Sequence, residues 1–203
     1  MPSTLSRRIA IVVAALLAAV ILTACSTDAD EPMAGMDSQA QETTSMSGET
    51  APDSGREDDV MFAQMMIPHH EQAVEMADMA LDQSTSSVEV RQLAVDIKAA
   101  QDPEIETMRA WLEAWGAPQE APSAMDHDSG MMADTDMSAL AEAEGTEFDQ
   151  MWLTMMIEHH EGAITMARDV QSTTEDEEVA ALAEDIIAAQ EAEIATMQTL
   201  LEP

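Results

Sequence analysis

The sequence predicts an all-α protein: a four-helix bundle assembled from two helical hairpins. Three observations lead there. Residues 61–77, MFAQMMIPHHEQAVEMA, return as residues 151–167, MWLTMMIEHHEGAITMA, with ten of seventeen positions identical. Further along each copy, Asp96–Met108 (DIKAAQDPEIETM) returns as Asp185–Met197 (DIIAAQEAEIATM), with nine of thirteen identical. A repeat of this length marks a duplicated unit. Within each unit the apolar residues recur at the helical period, and no alternating strand pattern occurs.

Residues 1–24 read as a signal peptide outside the fold. Arg7 and Arg8 form a basic start, and Ile9 to Leu22 is an apolar run too short for a stable membrane span. It ends in Leu22-Thr23-Ala24-Cys25, which resembles the lipobox of bacterial lipoproteins. That resemblance implies acylation of Cys25 and a lipid anchor in the bacterial cell envelope, outside the cytoplasm. The plainer alternative is an ordinary secretory signal with Cys25 incidental. Cys25 is the only cysteine, so no intramolecular disulfide forms.

Residues 25–56 are rich in Ser, Thr, Asp, Glu and Gly and read as a disordered acidic tether. The first hairpin occupies 57–116. Its first helix, about 57–81, sets Phe62, Met65, Met66, His69, Ala73, Met76 and Ala77 on one stripe. Its second helix, about 88–115, carries Val90, Leu93, Ile97, Ala100, Ile105, Met108, Trp111 and Leu112 on its apolar face. Gly116 and Pro118 end it. Residues 117–138, with Pro118, Pro122, Gly130 and many Asp, read as a long flexible connection outside the bundle. The second hairpin, 139–203, repeats the scheme with helices of about 139–171 and 176–201. Pro68 and Pro103 are expected to kink the first-copy helices, or to force a restart capped by Asp102. Glu158 and Ala192 replace them in the second copy, whose helices should be straight.

The chain has 7 basic and 41 acidic residues, a formal charge of −34. Such a surface excludes nucleic-acid binding, which rests on Lys and Arg contacts to phosphate. It attracts cations without specificity, and it also serves solubility.

The chemistry concentrates in His69-His70 and His159-His160. Each pair follows two methionines, Met65-Met66 and Met155-Met156, and precedes a Glu. Met76 and Met166 lie two turns further on. These side chains share one arc overlapping the apolar stripe. Thioether beside imidazole suits a soft or borderline transition metal: thioethers favour Cu(I), while imidazole accepts Cu(I), Cu(II) or Zn. The structural alternatives are Met as core filler and His as a hydrogen-bonded core imidazole. In the second helices Gln101, Glu104 and Met108, and again Gln190, Glu193 and Met197, fall on the apolar face. A carboxylate there needs a metal or a hydrogen-bonding His. Both Glu104 and Glu193 should therefore point inward, toward the His pairs. Met33, Met36, Met46, Met125, Met131, Met132 and Met137 fall outside the expected helices or at their edge, where core packing does not account for them. With His127, they add loose soft ligands, unless they are compositional drift.

No zinc-protease motif survives, since Val74 and Ile164 stand where H-E-x-x-H needs its second His. No Glu stands three residues before a His, as a di-iron bundle requires.

The doubled Met-Met-Ile-(Pro/Glu)-His-His-Glu, each followed by Ala-Ala-Gln-x-x-Glu-Ile-x-x-Met, closely resembles the DUF305 family of exported bacterial proteins over about residues 57–201. The resemblance implies a ferritin-like four-helix bundle. It also implies copper binding through Met65, Met66, His69, His70, Met76 and their second-copy counterparts. Glu158 departs from the motif's usual Pro. The expected protein is thus a lipid-anchored, non-enzymatic copper binder that sequesters or transfers the metal, Cu(I) before Cu(II). Its metal sites would draw on Met65, Met66, His69, His70, Met76, Glu104, Met108, Met155, Met156, His159, His160, Met166, Glu193 and Met197. The alternatives are a metal-free interaction module with a Met/His core and a redox enzyme with a nonstandard metal site. Transfer implies a protein partner, which nothing in the sequence identifies.

Overall fold

The computed structural model describes residues 54–120 and 130–202. Among them are five helices and no strand: α1 (Ser54–Asp82), α2 (Val88–Trp115), α3 (Asp134–Glu142), α4 (Gly145–Gln171) and α5 (Glu177–Leu201). The expected signal segment, Cys25, most of the tether, and Met33, Met36, Met46, Met125 and His127 lie outside the described residues. No described helix is long and apolar enough to cross a membrane.

Helix ends leave backbone groups unpaired, and the sequence places side chains to meet them. Ser87 caps α2 by accepting from the Val90 amide at 3.2 Å. Asp176 caps α5 through the amides of Glu178 and Val179. Gly116, at φ 66°, closes α2 in the left-handed conformation that favours glycine. Pro68 and Pro103 sit inside α1 and α2, and both helices run on without interruption. The restart at Asp102 does not occur. Each proline removes one helix hydrogen bond, and burial of the rest of each helix face outweighs that loss.

α1 packs on α2 and α4 on α5, and the two hairpins meet chiefly through α1 and α4. Those two run antiparallel. The Trp152 indole N–H, on α4, donates to the Met76 carbonyl of α1 at 2.8 Å, satisfying the one polar atom of a fully buried ring. Hydrophobic residues fall into two clusters. One joins the C-terminal half of α1 to the N-terminal half of α4 around Met76, Ile97, Phe148, Trp152 and Met156. The other joins the opposite halves around Phe62, Met66, Met108, Ala167 and Ile186.

Three expectations need correction. The tether does not reach residue 56: α1 begins at Ser54, because the Arg56 guanidinium bonds Asp176 at 3.1 Å and lies 4.4 Å over the Trp115 ring. The third helix does not run unbroken from 139. It divides into α3 and α4 at Gly145, whose φ of 58° is left-handed. There the α1–α2 loop docks: Gln83 donates to the Ala143 carbonyl, and Thr85 accepts from the Gly145 amide at 2.8 Å. Ser86 and the Ser87 amide donate to Asp149. Finally, the described end of the mid-chain connection is not outside the bundle. Met137 is only 9% exposed, and Met132 packs on the same cluster. Core packing therefore does account for these two methionines.

The segment 130–132 crosses from α4 to α1 at one particular level. Gln72 of α1 holds it with two hydrogen bonds, accepting from the Met132 amide at 2.7 Å and donating to the Met132 carbonyl at 2.9 Å. On the other side Gly130 lies so close to α4 that a Cβ there would be 2.9 Å from the Glu158 carbonyl oxygen. Its φ of 83° is also left-handed. Gly130→Ala should therefore destabilise the fold by about 1–3 kcal/mol. Urea unfolding of the two proteins measures this; equal midpoints would show that the strap does not press on α4.

Candidate metal centre

The two apolar clusters are separated by a polar layer. His69 and His70 occupy the middle of α1, and His159 and His160 the middle of α4, all four essentially without solvent contact. Gln101 and Gln190 are buried beside them from α2 and α5. The His69 and His159 rings meet across the antiparallel pair, with centroids 3.7 Å apart and planes tilted by 39°. The sequence placed the two pairs on core-facing stripes. Only the antiparallel crossing of α1 and α4 brings them into contact.

Both expected carboxylates point inward. His70 Nε2 bonds Glu104 Oε2 at 2.8 Å, and His160 Nε2 bonds Glu193 Oε2 at 2.7 Å. Each carboxylate is 17% exposed, so it spans from the buried ring to the edge of the bundle. In the neutral ring the carboxylate holds the proton on Nε2 and leaves Nδ1 as a lone pair. Nδ1 of His70 and of His160 is buried and has no hydrogen-bond partner. Carboxylate–imidazole pairs of this form orient ligating histidines and fix the ring in place.

His159 has no side-chain hydrogen-bond partner for either ring nitrogen. Burial holds its pKa well below the ordinary 6.5, and the neighbouring His69, His160 and His70 rings push it the same way. The polar backbone of His69 opposes them, as the smallest influence. Both amide atoms of Gln101 and the Gln190 carbonyl oxygen are also buried without partners. Unpaired buried polar atoms are costly, and they gather here.

The remaining expected residues divide in two. Met66, Met76, Met108, Met156 and Met197 are fully buried, and Met155 nearly so, in the clusters flanking the polar layer. Met65 and Met166 are instead half-buried beside an open cavity, away from the apolar clusters' centres. Among the described residues no three His, Cys, Asp or Glu side chains form a ready metal site. A soft metal in this layer would call for imidazole nitrogens, alone or with the flanking thioethers. The donor set fits that demand: open Nδ1 lone pairs, with buried thioethers on both sides. Sequence reasoning did not anticipate Gln72, the anchor of the 130–132 strap, since a lone helical Gln carries no signal.

Two antiparallel hairpins enclosing a central His–Glu layer define an all-helical bundle with an internal polar belt. The chain belongs to the DUF305 family, a domain of unknown function, whose model matches residues 59–201. It is similar to a DUF305 protein of Streptomyces coelicolor, at 34% identity and a TM-score of 0.66 over 71% of this chain and 90% of that one. A DUF305 fragment from Deinococcus radiodurans matches at 33% and 0.65, over 71% and 95%. CopM in its Cu(I)-bound form matches at 38% and 0.60, over 70% and 94%, and CopM has also been solved with Cu(II) and with Ag. No functionally curated protein matches.

The depressed His159 pKa has a consequence for stability. The unfolded chain takes up a proton near pH 6.5 while folded His159 stays neutral, so unfolding is favoured as pH falls below that value. Above it the group contributes nothing to the slope. Metal-free protein should lose stability between about pH 7.5 and 5. His159→Asn should show a shallower loss, since carboxylate titration is common to both. Parallel urea-unfolding profiles would remove this role from His159.

Proposed function

We propose that this chain is an extracytoplasmic copper-binding protein that sequesters or passes on the metal and performs no catalysis on it. The observation that carries the reading is the doubled His–Glu pair, each leaving a buried Nδ1 without a partner inside a methionine-lined bundle. Bound Cu(I) would take imidazole and thioether donors together, and this layer offers both. His70 and His160 would hold the ion, with Met66, Met108, Met156 and Met197 as the flanking thioethers. Glu104 and Glu193 keep the proton on Nε2 and the ring in place. The apolar clusters on either side keep water out. CopM, a structural relative, is known in Cu(I), Cu(II) and Ag forms, which supports copper over zinc. The designation of the Streptomyces relative as a secreted protein supports a site outside the cytoplasm. The lipobox-like Leu22–Cys25 run supports a lipid anchor at Cys25.

The competing reading is a metal-free interaction module in which the polar layer only sets the register of the bundle. It draws on the lack of three converging His, Asp or Glu side chains. An anaerobic Cu(I) titration of the full chain against a competing chelator separates the two. The copper reading expects tight, stoichiometric binding that disappears when His69, His70, His159 and His160 are all replaced by Ala, with helicity checked by circular dichroism. Replacing Met33, Met36, Met46 and Met125 should lower capacity yet leave the tight site intact, because ligands on helices need less ordering than ligands on a tether. No tight site in the wild type would favour the interaction module. Anchoring is tested separately: Cys25→Ser should move the protein out of the membrane fraction, and intact mass of the wild type should show the added lipid.

A further inference from the structure

We propose a second soft-metal site, at the surface and apart from the polar layer, formed by Met61 and Met65 of α1 and Met166 of α4. These three thioethers line one cavity of about 270 Å³ between the N-terminal half of α1 and the C-terminal half of α4. Met61 and Met65 are one turn apart and share a face. Met166 reaches the same cavity from the antiparallel neighbour. Asp58 and Asp169 line it as well, and no Lys or Arg does among the described residues. The donors are soft and uncharged, and the nearby charge is negative. That combination selects a soft monovalent cation, Cu(I) or Ag(I), over a hard divalent one.

The sequence repeat supplies the control for this reading. The counterparts of Met61, Met65 and Met166 are Met151, Met155 and Met76. At that end of the bundle Met76 and Met155 are buried in a cluster that includes Met137 and Leu140 of α3. Packing explains those methionines. At the other end Met61 is 39% exposed, and Met65 and Met166 are half-buried against an open cavity. At the end that α3 covers, two of the three methionines are core and Met151 is partly buried against them; at the other end the three line an open cavity. An accessible site of this kind suits capture of the ion from solution, before or beside the buried layer.

The proposal deepens the copper reading, and the experiment keeps the two apart. Full-length protein carrying ε-¹³C-methyl methionine is titrated with Ag(I), with histidine ring resonances followed in parallel, and with Cu(I) under anaerobic conditions. The methyls of Met61, Met65 and Met166 are expected to shift together on adding Ag(I) and to ignore Zn(II). The triple variant M61L/M65L/M166L should lose about one equivalent of Ag(I) and Cu(I) while the histidine resonances respond as in the wild type. M61L alone changes only the most exposed of the three, so folding is not at stake, and it should weaken this site by at least about tenfold. Unmoved trio methyls, or unchanged stoichiometry in the triple variant, would overturn the proposal. Trio shifts with silent histidines would uphold this site and overturn copper binding at the polar layer. Silence in both would overturn both.

Discussion

Four imidazoles and two glutamines buried at mid-height of a helical bundle impose a constraint that the rest of the fold answers. Each buried polar atom must find a partner or be destabilising, by about 1–3 kcal/mol where it finds none. Glu104 and Glu193 meet His70 and His160 in this way. Because both bonds run between the helices of one hairpin, they fix the register of α1 on α2 and of α4 on α5. The contact of the His69 ring with the His159 ring then aligns the two hairpins with each other. Sliding either hairpin by one turn would set the imidazoles against Met or Ala side chains, such as Met66, Ala73, Met156 and Ala163, so the polar layer sets register where the apolar clusters alone would not.

The layer is incompletely satisfied, and that is its second property. His70 Nδ1, His160 Nδ1, the Gln101 amide and the Gln190 carbonyl oxygen stay unpaired in the interior. A purely structural layer would gain from partners at these positions. A layer that receives a soft cation must keep lone pairs open. Methionine suits both demands: its flexible thioether fills irregular core space, as at Met76 and Met197, and its sulfur is chemically a soft donor. The acidic surface adds general attraction for cations without selecting among them.

The two ends of the bundle differ although the hairpins repeat. At one end α3 and the 130–132 strap cover the seam between α1 and α4. At the other, the corresponding seam is the Met61–Met65–Met166 cavity. Helices that share a motif thus acquire different surroundings from the chain that leads into them. Access to the seam is set by connection rather than by motif.

Periodicity and the repeat were enough to settle the all-helical class, the hairpins, the boundaries of α2, and the inward turn of Glu104 and Glu193. The physical reason is local: a helix rotates each residue by a fixed angle, so an apolar stripe fixes which way its polar members face. Contacts between helices obey no such rule. That His69 touches His159, that Met65 parts company with His69, and that Met137 enters the core all depend on how distant helices cross. Helix α3 was hidden because Gly145 breaks a run that reads as one helix, and its left-handed conformation is fixed by docking of the 83–87 loop. Sequence determined what each helix presents; tertiary packing decided which of those surfaces meet, since that choice rests on partners up to 120 residues away, as in the Arg56–Asp176 bond.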